Sequence, residues 1–198
     1  MIRLARNNIN TPDRTYDIFA INWKKELHYI DWKRFAMMAK YYLPEKGKYL
    51  DIGCFNSPMP LELKKTYREQ EITAVDHCGK LIDELKERHP EINYLYADAE
   101  KLPFEDEYFD YVVIGELIEH VEDPNKIVRE AMRVLKKGGW LAVSTPNDEA
   151  HGNAVSNEHL WSFTMDDVID LISPYGEVEI NYCNDSIKVI VAFCKKYA

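Results

Sequence analysis

The chain has 198 residues, of which 25 are Lys or Arg and 34 are Asp or Glu, so its formal net charge is −9. Hydrophobic residues make up 46% and charged residues 30%, a balance typical of globular proteins and far from that of disordered ones. The acidic charge argues against a protein that coats nucleic acid, because phosphate binding depends mainly on Lys and Arg. The charge is uneven, since residues 1–48 hold ten basic and five acidic side chains.

Other classes are also disfavoured by the sequence. No apolar run approaches the roughly 18 residues of a membrane span, and the first residues lack the apolar core of a secretion signal. The four cysteines include no C-x-x-C pair, so neither a disulfide framework nor a zinc knuckle is indicated. We therefore expect a cytoplasmic protein with no nucleic-acid or membrane partner, as a monomer or a homodimer.

Hydrophobic periodicity and turn residues predict the elements in chain order. Residues 1–14 are polar and predict a loose arm, and the aromatic stretch 16–42 predicts helix. Beyond it, strands are predicted at 48–53, 71–76, 92–98, 109–115 and 140–146, alternating with helices at 60–68, 79–88, 124–136 and 164–173. Two last strands, 177–183 and 187–194, flank Asn184-Asp185 and predict a hairpin. This order predicts an α/β fold with a mostly parallel sheet, helices on both faces and antiparallel pairing at one edge.

Acidic residues stand at the ends of three successive predicted strands. Asp51 lies near the end of the first strand, two residues before Gly53, whereas Asp76 ends the second strand and Asp98 ends the third. Because ligands of such sheets bind beyond the carboxyl ends of the strands, the pattern favours a nucleoside ligand, with one carboxylate on the ribose hydroxyls and one near an adenine amino group. Each Asp alone could instead be a turn former or helix cap, but the ordered set makes that alternative weaker.

Three stretches of sequence carry a family resemblance. They are KYLDIGCFNSP (48–58), AVDHC (74–78) and residues 96–147, which contain D-A-x-x-L-P-F, L-I-E-H-V-x-D-P and R-V-L-K-x-G-G. In this order and spacing, residues 46–196 resemble the small-molecule, methyltransferase type 11-like branch of the class I S-adenosylmethionine-dependent methyltransferases. The resemblance implies a Rossmann-like sheet of seven strands, with an N-terminal arm and helical lid at 1–45 and a cofactor-binding domain at 46–198.

The resemblance also implies the cofactor, S-adenosylmethionine, and the residues that hold it. By motif match these are Asp51, Gly53 and Cys54 at the methionine end, Asp76 at the ribose, Asp98 with Ala99 at the adenine, and Gly115-Glu116 at the pocket floor. His77, beside Asp76, either packs on the adenine or is an exposed loop histidine.

Phe55 departs from the family pattern, because it stands at the second glycine of the usual G-x-G-x-G loop. We expect this residue to be accommodated if its φ is negative and its ring turns away, whereas an inward ring would block the cofactor. The missing glycines weaken the rival interpretation as a nicotinamide-dependent oxidoreductase, whose pyrophosphate needs close backbone approach. They also prompt an alternative function: a catalytically inactive, methyltransferase-like binding or regulatory protein.

Two histidines are candidates for the base that a hydroxyl acceptor requires. His120 follows the fourth strand, and His159 lies in an H-L-x-x-F-T segment that crosses the active-site mouth in similar methyltransferases. His120 could instead have a supporting role, and His159 could contact the site without acting as a base. No metal is expected, because Thr145-Pro146-Asn147-Asp148 offers at most one acidic ligand. DNA-base methylation is disfavoured, because Gly115-Glu116-Leu117-Ile118 replaces the D/N-P-P-Y/F motif of those enzymes.

We therefore predict a methyltransferase for a small-molecule acceptor, acting by O-methylation with a His base, with nitrogen and carbon acceptors open. Basic side chains of the N-terminal segment favour an anionic acceptor, or else pair with the acidic body: Arg3, Arg6, Arg14, Lys24, Lys25, Lys33 and Arg34. Its aromatic side chains belong to a lid over the acceptor or to the core: Tyr16, Phe19, Trp23, Tyr29, Trp32, Phe35, Tyr41 and Tyr42.

Overall fold

The computed structural model describes residues 1–4, 9–22, 42–43, 46–67, 69, 71–147, 158–182 and 189–198. The strands are β1 (Ile2–Arg3), β2 (Lys48–Ile52), β3 (Glu71–Asp76), β4 (Asn93–Tyr96), β5 (Phe109–Gly115), β6 (Leu135–Pro146), β7 (Trp161–Ser162), β8 (Gly176–Tyr182) and β9 (Val189–Lys196). The helices are α1 (Pro12–Asn22), α2 (Met59–Thr66), α3 (Gly79–Arg88), α4 (Pro124–Val134) and α5 (Met165–Ile172), followed by a 3₁₀ turn at Ser173–Tyr175.

Seven strands form one sheet in the order β4-β3-β2-β5-β6-β9-β8. The first five are parallel, and β9 runs antiparallel to both β6 and β8. This confirms the predicted Rossmann-like sheet with its antiparallel C-terminal hairpin. Strand order reverses between β2 and β5, so a ligand crevice is expected at the carboxyl ends of these two strands.

Each face of the sheet carries its own apolar cluster, which is why the central strands are continuously apolar. Helices α4 and α5 cover one face, where Ile127, Val128 and Ala131 of α4 are buried. Helices α2 and α3 cover the other face through residues such as Leu63 and Leu81. A sheet packed on both faces is a rigid support for the loops at its carboxyl edge.

The predicted elements agree with the structure to within two residues at most ends. Strand β6 is an exception, because α4 ends at Val134 and Leu135 already pairs with Phe109 of β5. The expectation of a loose arm is wrong for part of residues 1–14, since β1 pairs with β7 and α1 begins at Pro12. The predicted helix beyond residue 22, up to 41, and the turn at Asn184-Asp185 lie outside the described residues. None of the helices within the described ranges is long and apolar enough to span a bilayer.

Candidate active site

The loop after β2 is fastened to the end of β3. The backbone N–H groups of Gly53 and Cys54 both donate to the carbonyl oxygen of Val75, at 2.9 Å each. Gly53 has a φ of 71°, and a Cβ added there would lie 2.8 Å from the side chain of Leu117, which follows β5. A larger residue at position 53 would therefore collide with the neighbouring loop. The loops after β2 and β5 meet directly, as the predicted crevice requires.

Phe55 has a left-handed backbone conformation, which glycine adopts without strain. Its φ is 41°, so the expectation of a negative φ is wrong. A non-glycine residue in this left-handed region costs about 1–2 kcal/mol. The ring is half-buried and packs against the apolar cluster on the α2/α3 face. The N–H of Phe55 donates to Asp76 Oδ2 at 3.1 Å, which helps to hold the unusual backbone.

Asp51 is the most unusual carboxylate of the site. Its side chain is 3% exposed, and its Oδ2 atom makes no hydrogen bond to any residue in the described part of the chain. Burial, with a smaller contribution from the charge of Asp76, raises the pKa of Asp51 to about 7. A buried carboxylate oxygen without a donor is costly, so this position suits a ligand that brings a donor or a positive charge. The ammonium of a methionine moiety has both, so the residues fit S-adenosylmethionine.

Asp76 links two loops at the end of β3. Its Oδ2 accepts from the Phe55 N–H, and its Oδ1 accepts from the Cys78 N–H at 2.9 Å. The residue is 7% exposed, and burial raises its pKa despite these hydrogen bonds. Each carboxylate oxygen can accept a further hydrogen bond, so Asp76 could also bind the ribose hydroxyls. Ribose binding by Asp76 stays a prediction.

The predicted adenine residues lie towards the β3 and β4 side of the crevice. Asp98 is exposed, and its Oδ1 accepts from the Glu100 N–H at 2.9 Å, with Ala99 in the same turn. His77 is exposed, and its Nε2 lies 3.2 Å from Thr15 Oγ1 of α1. Adenine contact by these residues stays a prediction.

Helix α1 lies over the start of α3, beside the end of β3. The thiol of Cys78 donates to the carbonyl oxygen of Pro12 at 3.1 Å, and the Tyr16 hydroxyl donates to Glu84 Oε1 at 2.5 Å. Together with the contact between Thr15 and His77, these bonds hold the N-terminal half of α1 beside the loop that follows β3.

Gly115 and Glu116 form the bend after β5. Gly115 pairs with Ser144 of β6, and the Glu116 N–H donates to the Ser144 carbonyl oxygen at 3.0 Å. Glu116 has a φ of 51°, so the chain turns sharply here into the segment that carries His120. A second left-handed residue beside the crevice is a feature that sequence patterns do not reveal.

The two predicted histidines are brought together from distant parts of the sequence. The rings of His120 and His159 lie with centroids 4.9 Å apart and planes at 85°. The Leu160 N–H donates to the Glu119 carbonyl oxygen at 2.6 Å, which fixes one segment against the other. The side-chain amide of Asn10 donates to the carbonyl oxygens of both His120 and Glu158, at 3.0 Å each. The N-terminal arm therefore holds this part of the site together.

Glu119 is the site residue that the sequence predictions missed. It is 1% exposed, and its Oε2 accepts a hydrogen bond from the Thr145 hydroxyl of β6 at 3.0 Å. Its Oε1 lies 3.8 Å from His120 Nε2, too far for a hydrogen bond. The available signal was its position beside His120 in the L-I-E-H segment, but burial and the contact with Thr145 depend on the pairing of β5 with β6.

His120 has a defined orientation, and its surroundings favour the neutral imidazole. Its Nδ1 lies 3.1 Å from the carbonyl oxygen of Glu158, which can only accept, so Nδ1 carries the proton and Nε2 carries the lone pair. Burial lowers the pKa of His120, with the Glu158 carbonyl opposing the shift. His159 is 9% exposed. The cluster of Glu119, His120 and His159 thus combines a buried carboxylate with two imidazoles beyond the ends of β5 and β6.

A sheet of this strand order, with its crevice between β2 and β5 and a buried carboxylate near the end of β2, is the architecture of class I S-adenosylmethionine-dependent methyltransferases. Comparison with known families agrees. The family described as "Methyltransferase domain" matches residues 50–143. The chain carries a methyltransferase domain of this class, whose cofactor is S-adenosylmethionine.

Individual relatives support the same family. A ubiquinone/menaquinone biosynthesis C-methyltransferase (UbiE) of Desulfotalea psychrophila is 33% identical over 54% of this chain and 44% of its own. A ubiquinone biosynthesis O-methyltransferase of Coxiella burnetii is 35% identical over 62% of this chain and 53% of its own. The chain spans about half the length of these curated relatives. A solved methyltransferase structure from Thermotoga maritima shares the fold, with a TM-score of 0.73 at 22% identity over 92% of this chain and 99% of its own.

Proposed function

We propose that this protein transfers a methyl group from S-adenosylmethionine to a hydroxyl group of a small molecule, with His120 as the base. The observation that carries the proposal is the cluster of Glu119, His120 and His159. Glu119 and His120 follow the bend at Gly115-Glu116 by only a few residues, and Leu117, just after the bend, lies against Gly53. The cluster is therefore next to the region assigned to the methionine end of the cofactor.

When bound, S-adenosylmethionine supplies a methyl group on a positively charged sulfur. Asp51 can hold the methionine ammonium with its carboxylate, whose buried Oδ2 has no hydrogen-bond partner among the described residues, and the Gly53 loop provides close backbone approach. Asp76 positions that loop through the Phe55 N–H and is assigned the ribose hydroxyls. These residues align the methyl donor, and alignment supplies much of the catalysis in such a displacement.

The reaction transfers one proton and one methyl group. The acceptor hydroxyl gives its proton to Nε2 of His120 as its oxygen forms a bond to the methyl carbon. S-adenosylmethionine would supply that methyl carbon and would leave as a neutral thioether that keeps the electron pair of the carbon–sulfur bond. Glu119, with Oε1 3.8 Å from that nitrogen, stabilises the positive charge that develops on the imidazole.

The acceptor is proposed to be small, with α1 as part of its lid. The relatives include both a C-methyltransferase and an O-methyltransferase, and the histidine cluster favours oxygen here. Arg3 and Arg14 form ion pairs with Glu122 and Glu158, so these two basic residues are already neutralised by the acidic body. A preference for an anionic acceptor would therefore have to come from other basic residues.

A cytoplasmic location is part of the proposal. Cys54, Cys78 and Cys194 are free and buried, as expected for a protein of a reducing compartment.

The first experiment is titration calorimetry of the full chain with S-adenosylmethionine and with S-adenosylhomocysteine. We expect both to bind. Methyl transfer from radiolabelled S-adenosylmethionine is then measured to catechol and to aniline, two planar acceptors that differ in the reacting atom. His120→Gln is expected to lower kcat by about 100-fold or more with cofactor affinity unchanged. His89→Gln, at the end of α3, is the matched control and is expected to behave as wild type.

The outcomes separate the proposal from its alternative. Binding of neither cofactor form at millimolar concentration would contradict the enzyme interpretation. Binding without transfer to any acceptor would favour an inactive, methyltransferase-like binding protein, the alternative suggested by Phe55. Transfer to aniline with unchanged rate in His120→Gln would overturn both the oxygen acceptor and the base.

A further inference from the structure

We propose that Glu119, His120 and His159 form a binding site for a first-row divalent metal ion, with Zn²⁺ as the best match to the ligands. One carboxylate oxygen of Glu119 and one ring nitrogen of each histidine lie within 4.8 Å of one another. Two imidazoles and one carboxylate are a ligand set used by catalytic zinc sites, which keep a further position open. The sequence predicted no metal because only the segment at the end of the fifth strand, residues 145–148, was considered as a source of ligands, and these three residues lie elsewhere in the chain.

The groups around the cluster orient the ligand atoms as metal sites require. A metal-binding histidine usually donates its other ring N–H to a carbonyl or carboxylate. His120 does so through Nδ1 to the Glu158 carbonyl oxygen, which leaves the lone pair of Nε2 on the side of Glu119. The Thr145 hydroxyl holds Oε2 of Glu119, so that Oε1 is the oxygen nearest to His120. Both ligand side chains are thus held by bonds that would remain when an ion is bound.

Distances favour a small ion after a modest adjustment. Ligand atoms about 2.0–2.1 Å from a tetrahedral Zn²⁺ are about 3.4 Å apart. Oε1 of Glu119 and Nε2 of His120 are 3.8 Å apart, so these two need to approach only slightly. All the ligand atoms of the cluster lie within 4.8 Å of one another, so the remaining separations need to shorten by at most about 1.4 Å. Imidazole ligands favour Zn²⁺ over Mg²⁺, which prefers oxygen ligands and retains its water.

The consequence for catalysis rests on the proposed function. An acceptor hydroxyl in the open position of the ion would lose its proton more easily, as water does on zinc. The proton would then pass to solvent while the oxygen takes the methyl group and the sulfonium becomes a thioether. The ion would bind the lone pair of His120 Nε2, which could then no longer take a proton. Metal-bound protein would therefore activate the acceptor hydroxyl with the ion, and metal-free protein would do so with the imidazole.

Metal binding can be tested without any methyl acceptor. The full chain is treated with EDTA, desalted and titrated with Zn²⁺ in a calorimeter, and bound zinc is counted by atomic emission. We expect one Zn²⁺ per chain. His120→Ala, His159→Ala and the isosteric Glu119→Gln are each expected to weaken binding by at least about tenfold. His89→Ala removes a histidine that directly follows α3 and lies outside the cluster, so this variant is the matched control and should bind Zn²⁺ as wild type does.

Each result supports or overturns the site. Absence of stoichiometric zinc, or unchanged affinity in both histidine variants, would overturn it. Circular dichroism identifies variants that fail to fold. If the variants do not fold, the visible absorption of Co²⁺ added to the wild-type protein tests the site. Intense bands indicate that protein groups bind the ion in a low-coordinate geometry, and weak bands indicate a hydrated ion and would overturn the site. Zinc binding without methyl transfer would leave the site standing and the proposed function refuted, whereas methyl transfer by a protein that binds no stoichiometric zinc would refute the site and leave the proposed function standing.

Discussion

Replacing Asp51 with Asn tests whether the buried charge of this carboxylate destabilises the folded protein. Asp51 is buried, and its Oδ2 has no hydrogen-bond partner among the described residues. Its pKa of about 7 compares with about 3.9 for an unfolded chain, a difference equivalent to about 4 kcal/mol. Proteins relax around buried charges, which reduces this penalty. We therefore expect Asp51→Asn to raise the free energy of unfolding by about 1–3 kcal/mol at pH 8.

The sign of the pH dependence follows from the raised pKa. Between pH 3.9 and about 7 the folded protein keeps a proton that the unfolded chain has released, so stability falls as the pH rises through this window. Above pH 7 the full penalty applies to wild type. Asn cannot ionise, so the advantage of the variant is expected to vanish near pH 4, to reach about half its maximum at pH 5.5 and to be complete at pH 8.

Urea unfolding at pH 5.5 and pH 8, followed by circular dichroism, measures this difference. Asp83→Asn is the matched control, because Asp83 is exposed on α3 and its replacement should have the same small effect at both pH values. A variant Asp51→Asn that is no more stable than wild type at pH 8, or whose advantage does not grow with pH, would refute the reasoning. The same variant should bind S-adenosylmethionine more weakly, since it lacks the charge that faces the ammonium.

Three further predictions concern the loops at the carboxyl edge, and urea unfolding measures all of them. Phe55→Gly should be more stable than Phe55→Ala by about 0.5–1 kcal/mol, the reverse of the usual order, because residue 55 has a positive φ. A higher stability of the Ala variant would contradict this prediction. Gly53→Ala should lower the free energy of unfolding by about 1–3 kcal/mol, because residue 53 has a φ of 71° and an added Cβ would press on Leu117. An unchanged urea midpoint would refute this. Thr145→Val should lower the free energy of unfolding by about 1–2 kcal/mol, because it removes the hydroxyl that donates to Glu119. Thr145→Ser keeps that hydroxyl and should be close to wild type. An equal loss of stability in both variants would argue against the hydrogen bond.

Local signals in the sequence predicted most elements correctly because burial repeats along each one. The apolar run of β5 and the face of α4 with Ile127 and Val128 have the periods of strand and helix, and both were placed closely. The start of α5 was also predicted, because Thr164 and Asp167 form a capping box within four residues of sequence. The segment Ile2–Arg3 was missed because two residues carry no periodicity, and its strand exists only through pairing with Trp161-Ser162.

The sequence by itself determined the order of strands and helices, the carboxylates at the strand ends and the methyltransferase motifs, because these depend on neighbouring residues. Only the tertiary structure decided that His120 meets His159, that Glu119 is buried against Thr145, and that Phe55 adopts a left-handed backbone. The physical reason is that these features arise where separate loops converge at one edge of the sheet. Burial, pKa and ligand geometry there are set by contacts between segments that are distant in the chain, and no local pattern records them.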